Sequence, residues 1–321
     1  MNIPSKQTVE DISPGQVQLH IAVGDNEFAA KLQSQIQVII ADLVKDDIFC
    51  PPLRLIEVVS NFEEEVFRWQ RELGKPENIS SGHGGEVSGK VLKWGSGDYE
   101  TTYAVIILPD WVGNGLVLGH PIAKGILVHE CAHVYDDYYF ERECGCLRIP
   151  TIKDWDGIKQ YISVTLRGEF FAEALAAKYF ESEQLDERLS YGEEVLRICT
   201  NSIKDEIKSY RKHGDIAKLW LISTERMSTL FNQLGRTLGF MYAMDDGRHN
   251  REFTDRVSQI SNEWGTLIDQ LLEEIQKSIH RETPYSLDAF DDIKKIIEQG
   301  FQIAGIYPRY TSDGELYIDV P

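Results

Sequence analysis

The sequence predicts an α+β protein: a small mixed sheet packed on one long helix, followed by a mainly α-helical C-terminal extension. Three observations carry this. Residues 101–108 (TTYAVIIL) form a β-branched and aromatic run closed by Pro109-Asp110, the signature of a strand and its stop. Residues 26–45 place Phe28, Leu32, Ile36, Ile39, Ile40 and Leu43 on one stripe, the spacing of an amphipathic helix. From His120 onward, segments of helical spacing follow one another with short breaks.

The elements follow in order. Residues 17–23 (VQLHIAV) alternate in part and read as a strand. Cys50-Pro51-Pro52 breaks the chain before a second strand at 53–59. Asn61 suits a helix cap, with Glu63, Glu64 and Glu65 in the first turn and Gly74 as the stop. Residues 80–98 are rich in Gly and Ser and are expected to hold turns. Pro121 opens a helix running to about Arg142, at a position where a missing N–H costs nothing. Further helices are expected over 158–183, 185–211, 216–243, 251–280 and 287–298, and a hairpin around Ser312-Asp313-Gly314. The expected organisation is a core over 1–185 and a helical extension over 186–321.

Composition narrows the function. The chain has 321 residues, with 33 Lys and Arg against 52 Asp and Glu, a net charge of −19. Such a chain is repelled by phosphate backbones and anionic bilayers, so neither nucleic acid nor a membrane is expected as a partner. Five cysteines, Cys50, Cys131, Cys144, Cys146 and Cys199, are an odd set and do not read as a disulfide framework. The first residues, MNIPSKQTVEDISPG, contain no apolar stretch of signal-peptide type, and no run is long enough to cross a bilayer. A reducing, cytoplasmic location is the expectation.

The informative motif is His129-Glu130-Cys131-Ala132-His133. On a helix, residues four apart lie on one face one turn up, so both imidazoles can reach one zinc ion. Glu130 is one step around the helix, where it can take a proton from a water without being a ligand. Catalytic zinc takes three protein ligands and keeps an open position. The apolar helical segment 168–177 (GEFFAEALAA) offers Glu169 and Glu173, again four apart. One of these can bind the metal while the other orients a ligand imidazole.

HECAH followed by EFFAEALAA resembles the HExxH zinc metallopeptidases whose third ligand is a glutamate, the zincins. Its E-x-x-A-x-x-L-A pattern is similar to that of the IrrE/ImmA-type peptidases. The likeness covers about residues 100–180. It implies a zincin-like core, Zn2+ held by His129, His133 and Glu169, Glu173 as the neighbouring acidic residue, and a peptide or protein substrate. It also implies that residues 101–108 are the edge strand on which an extended peptide is bound.

Other residues carry weaker signals. Asp137, four beyond His133, can accept a hydrogen bond from a ligand imidazole, or be a solvated acid near a helix end. His249 and Tyr179 are candidate donors to an oxyanion, although His249 also suits a solvated turn after Asp245-Asp246-Gly247. His120 can be a further metal contact or a loop residue before the helix. His83 suits a plain turn. Cys144-Gly145-Cys146 lacks the spacing of a zinc site, and idle thiols are expected there. Two other readings remain open: a regulatory or binding protein of the same fold with little catalysis, its helical C-terminal region serving as a partner surface, and a metal-free structural protein.

Overall fold

The computed structural model describes residues 3–13, 15–48, 50–77, 88–95, 102–144, 154–180, 184–244, 248–279 and 287–321. The chain is α+β and mostly helical, with a small mixed sheet. It divides into two compact units, Met1–Leu147 with Leu175–Glu181, and Arg148–Ala174 with Ser182–Pro321.

The first unit is built on a four-stranded sheet ordered β1 (Gln18–Ile21), β2 (Leu53–Val59), β4 (Tyr103–Pro109), β3 (Lys90–Trp94). β1, β2 and β4 run parallel, and β3 is antiparallel to β4. β2 is buried along its whole length and β4 along nearly all of it. Such unbroken burial is that of central strands covered on both faces, although β2 also encloses the charged Arg54 and Glu57. One face meets α1 (Lys6–Glu10) and α3 (Phe62–Glu72), where Val9, Leu55, Val59, Val66, Trp69, Leu92, Val105 and Ile107 form a buried cluster. The other is covered by α2 (Asn26–Lys45), α4 (Asp110–Val117) and α5 (Pro121–Cys144).

The helix ends follow the local chemistry. Asp25 and Asn61 cap α2 and α3 by accepting from the amides of Phe28 and Glu64. Gly119, at φ 75°, turns the chain between α4 and α5, a backbone region that disfavours a β-carbon.

Glu57 is buried in β2 and takes the Trp69 indole N–H on one oxygen, with His20 Nδ1 2.9 Å from the other. Burial pushes its carboxyl up to about 7.

In the first unit, three expectations need correction. Residues 101–108 do not supply an edge strand: β4 lies between β2 and β3, and among the described strands β1 and β3 lie at the edges. Strand β3 lies within the stretch expected to hold turns. Its sequence KVLKW buries only Leu92 fully, as suits a strand at the margin of a sheet. The two glycines of α4 hide that helix in the sequence, since glycine is a poor helix former. Gly113 is needed there because a β-carbon would lie 2.6 Å from the Val58 side chain.

The second unit is helical: α6 (Trp155–Ala176), α7 (Gln184–His213), α8 (Ile216–Ala243), α9 (Arg248–Ile260), α10 (Asn262–Ile279) and α11 (Asp291–Ile303). A hairpin of β5 (Tyr307–Tyr310) and β6 (Leu316–Asp319) follows. The last residues of α6 group with the first unit. Trp155, Trp220 and Phe301 meet ring to ring, with Trp155 4.8 Å from Phe301 and 5.6 Å from Trp220. The single helix expected over 251–280 is two, because Ser261 stops α9 and its hydroxyl accepts from the Trp264 amide at 3.4 Å.

Candidate metal centre

Helix α5 carries His129, Glu130 and His133. Leu127, Val128, Cys131, Ala132 and Val134 are buried around them and fix the helix rotation. The two rings meet edge to face with centroids 4.7 Å apart, and His129 Nε2 lies 3.1 Å from His133 Nε2. His129, His133 and Glu169 each offer a ligand atom, and these atoms all lie within 4.8 Å of one another. Among the described residues this is the group that can hold a metal ion.

The donor set fits such an ion. Two nitrogens each about 2.0–2.1 Å from a tetrahedral centre stand roughly 3.3 Å apart, close to the 3.1 Å seen here. None of the three residues is exposed, and two imidazoles and a carboxylate are the mixed set that catalytic zinc sites use.

Comparison of the chain with protein-family models, curated proteins and solved structures gave no match. The centre therefore rests on its own geometry.

Glu130 is partly buried beside Gly89, the residue before β3. A β-carbon at Gly89 would lie 2.8 Å from both Cγ and Oε1 of Glu130. The edge strand thus approaches the glutamate so closely that a β-carbon at Gly89 would displace its side chain.

The remaining expected residues fall as follows. Asp137 pairs with Lys93 of β3, so its carboxylate serves the helix–sheet contact. Glu141, one turn further on, lies 3.9 Å from the same ammonium. Burial pushes Glu141 up to about 7, opposed by Lys93 and reinforced by Asp137. Glu173 is buried and ion-paired with Arg188 of α7. Tyr179 lies in the 3-10 turn Ala177–Tyr179 after α6, with the Lys178 ammonium 5.2 Å from its ring centre. Lys178 in turn reaches Asp46 at 2.5 Å.

His249 is in the first turn of α9, not in a loop, and its side chain lies outside the described residues, as do His83 and Cys146. His120 is exposed before α5.

Cys131, inside the motif, is fully buried, and the Cys50 thiol donates to its carbonyl at 3.3 Å. Burial pushes Cys50 up to about 12 and Cys131 well above the usual thiol range. Both are therefore poor thiolates.

Two residues near the centre were missed from sequence. Gly89 had no signal beyond a glycine in a glycine-rich stretch. Arg236 of α8 donates from Nε to Glu169 Oε2 at 2.7 Å, across 67 residues of sequence.

Proposed function

We propose that the chain is a zinc-dependent hydrolase of zincin type that cleaves peptide bonds, with Glu130 as general base. The observation that carries this is the 3.1 Å approach of the two imidazole nitrogens with Glu169 in the same cluster, one residue away from a carboxylate that is not part of that cluster. His129, His133 and Glu169 would hold the ion. When bound, zinc supplies Lewis acidity that polarises a carbonyl and acidifies water.

Glu130 takes the proton of the attacking water and returns it to the leaving amine. Gly89 leaves room for the Glu130 carboxylate and holds β3 against it. The outer edge of β3, paired on its other side with β4, offers backbone N–H and C=O groups to an extended peptide. That edge, together with the resemblance of HECAH and EFFAEALAA to glutamate-ligand zincins, favours a peptide over other amides. The net charge of −19 argues against polyanionic substrates.

The deciding experiment is Glu130→Gln. It removes the base and keeps all three ligands. Zinc content after gentle purification should equal that of the parent chain, while hydrolysis of unstructured polypeptides falls by about 10²–10⁴-fold. Equal hydrolysis by both proteins would rule out the mechanism. A parent chain that binds zinc but cleaves nothing would favour the regulatory reading.

A further inference from the structure

We propose that Arg236 is a positioning residue for the metal centre, holding Glu169 in the orientation in which it acts as a ligand. This rests on the metal reading above and adds a residue to it from the helical part of the chain. The contact is direct: Arg236 Nε donates to Glu169 Oε2 at 2.7 Å. The Glu169 side chain is 15% exposed and that of Arg236 is 48% exposed, so the pair sits at the margin of solvent with its carboxylate side enclosed.

The local helix packing determines that contact. Gly235 and Gly239 lie one turn apart on α8. A β-carbon at Gly235 would stand 2.4 Å from the Leu166 carbonyl oxygen and 3.2 Å from Glu169 Cβ. One at Gly239 would stand 2.2 Å from the Phe170 carbonyl oxygen. The obstacles are backbone atoms of α6, which cannot swing aside as a side chain can. Two glycines therefore let α8 lie directly on the α6 backbone at the residues that bracket Glu169. Phe170 and Tyr242, with ring centres 5.5 Å apart, support the same seating. This seating puts Arg236 on Glu169.

The chemistry of the pair follows. A carboxylate has two oxygens and about four acceptor positions, so a donor on Oε2 still leaves capacity for a metal. A guanidinium held through Nε restricts rotation of the carboxylate, and outer partners of this kind set ligand orientation and affinity. One turn along α6, Glu173 pairs with Arg188 of α7. The two carboxylates are thus each assigned an arginine, and Glu169 is the one that belongs to the metal-binding group.

The test measures zinc affinity of the full chain by competition with a chromophoric chelator, for the parent protein, Arg236→Gln, Arg236→Lys, Glu169→Gln and the double variant Arg236→Gln/Glu169→Gln. Circular dichroism and thermal unfolding of the zinc-free proteins verify that each is folded. Arg236→Gln should weaken zinc binding by about 10–100-fold, and Arg236→Lys should recover part of the loss. In the Glu169→Gln background, Arg236→Gln should change affinity less than twofold, because its effect passes through that carboxylate.

An unchanged or tighter affinity in Arg236→Gln, with Glu169→Gln still weakened, would overturn the positioning role and leave the metal site standing. The same loss in both backgrounds would mean that Arg236 acts through the fold and not through Glu169, which also overturns the proposal. A parent chain that binds no zinc would overturn the metal reading and this proposal with it. Should Arg236→Gln fail to fold, Arg236→Lys carries the comparison: affinity equal to the parent would refute the role of the Nε contact.

Discussion

Lys93 of β3 faces three carboxylates of α5, Asp136, Asp137 and Glu141, and their charges hold its ammonium above the usual lysine range despite burial. Asp137 takes the close contact, which leaves Glu141 buried at 3.9 Å and raised to about 7. The sign of the pH effect is then determined. Between the ordinary glutamate range and about pH 7 the folded protein keeps a proton on Glu141 that the unfolded chain has released. This group therefore favours the folded state at low pH, and that contribution is lost as pH rises through 7. Glu141→Gln, which cannot ionise, should match the parent protein in thermal stability near pH 5. It should be more stable near pH 8, by about 1–3 kcal/mol. A stability difference that is constant across pH 5–8 would show that Glu141 does not carry this proton.

At the scale of elements, the edge strand and the motif helix meet at Gly89 and Glu130. Gly89→Ala adds a single methyl where the glutamate side chain now lies 2.8 Å away. Glu130 must move, and a displacement of about 1 Å in a catalytic group can cost on the order of 10² in rate. Zinc stoichiometry should stay the same, because neither His129 nor His133 is touched. Peptide hydrolysis at saturating zinc should fall by about that factor. Full activity in Gly89→Ala would mean that the Glu130 carboxylate is not used in the position seen here.

The same close-approach logic governs α6 and α8. At Gly235 and Gly239 the obstacle is backbone, so those two glycines mark where two helices come nearer than a side chain allows, whereas at Gly89 it is the Glu130 side chain. The unexpected break between α9 and α10 is of another kind: Ser261 offers its own hydroxyl to the next helix, and this competes with continuation of the first.

For the whole molecule, the metal reading makes stability depend on zinc. A ligand that binds only the folded state adds RT ln(1 + [L]/Kd), about 2.7 kcal/mol at one hundred times Kd. Thermal unfolding of the intact chain should shift upward on adding zinc and return on adding a chelator. Replacing His133 with Ala should abolish most of the shift. An unfolding temperature indifferent to zinc and chelator alike would argue for the metal-free structural reading. No described helix is long and apolar enough to cross a membrane.

Periodicity and capping made most elements legible in the sequence alone. The stripe in α2, the cap at Asn61, the run in β4 and the terminal hairpin all depend on neighbours within a few residues, and the chain folds accordingly. The spacing of His129 and His133 is likewise a property of one helix, and the two rings do come together. Strand order could not be read this way. Which strand lies at the edge depends on pairing across tens of residues, so β4 was misplaced there and β3 overlooked. Glu169 was assigned over Glu173 by the resemblance to glutamate-ligand zincins, and Glu169 is the one that belongs to the metal-binding group. Their spacing on one helix does not tell them apart, and the arginines that hold them, Arg236 and Arg188, come from α8 and α7. Local pattern thus determined which side chains can hold a metal, and long-range packing decided how each of them is held.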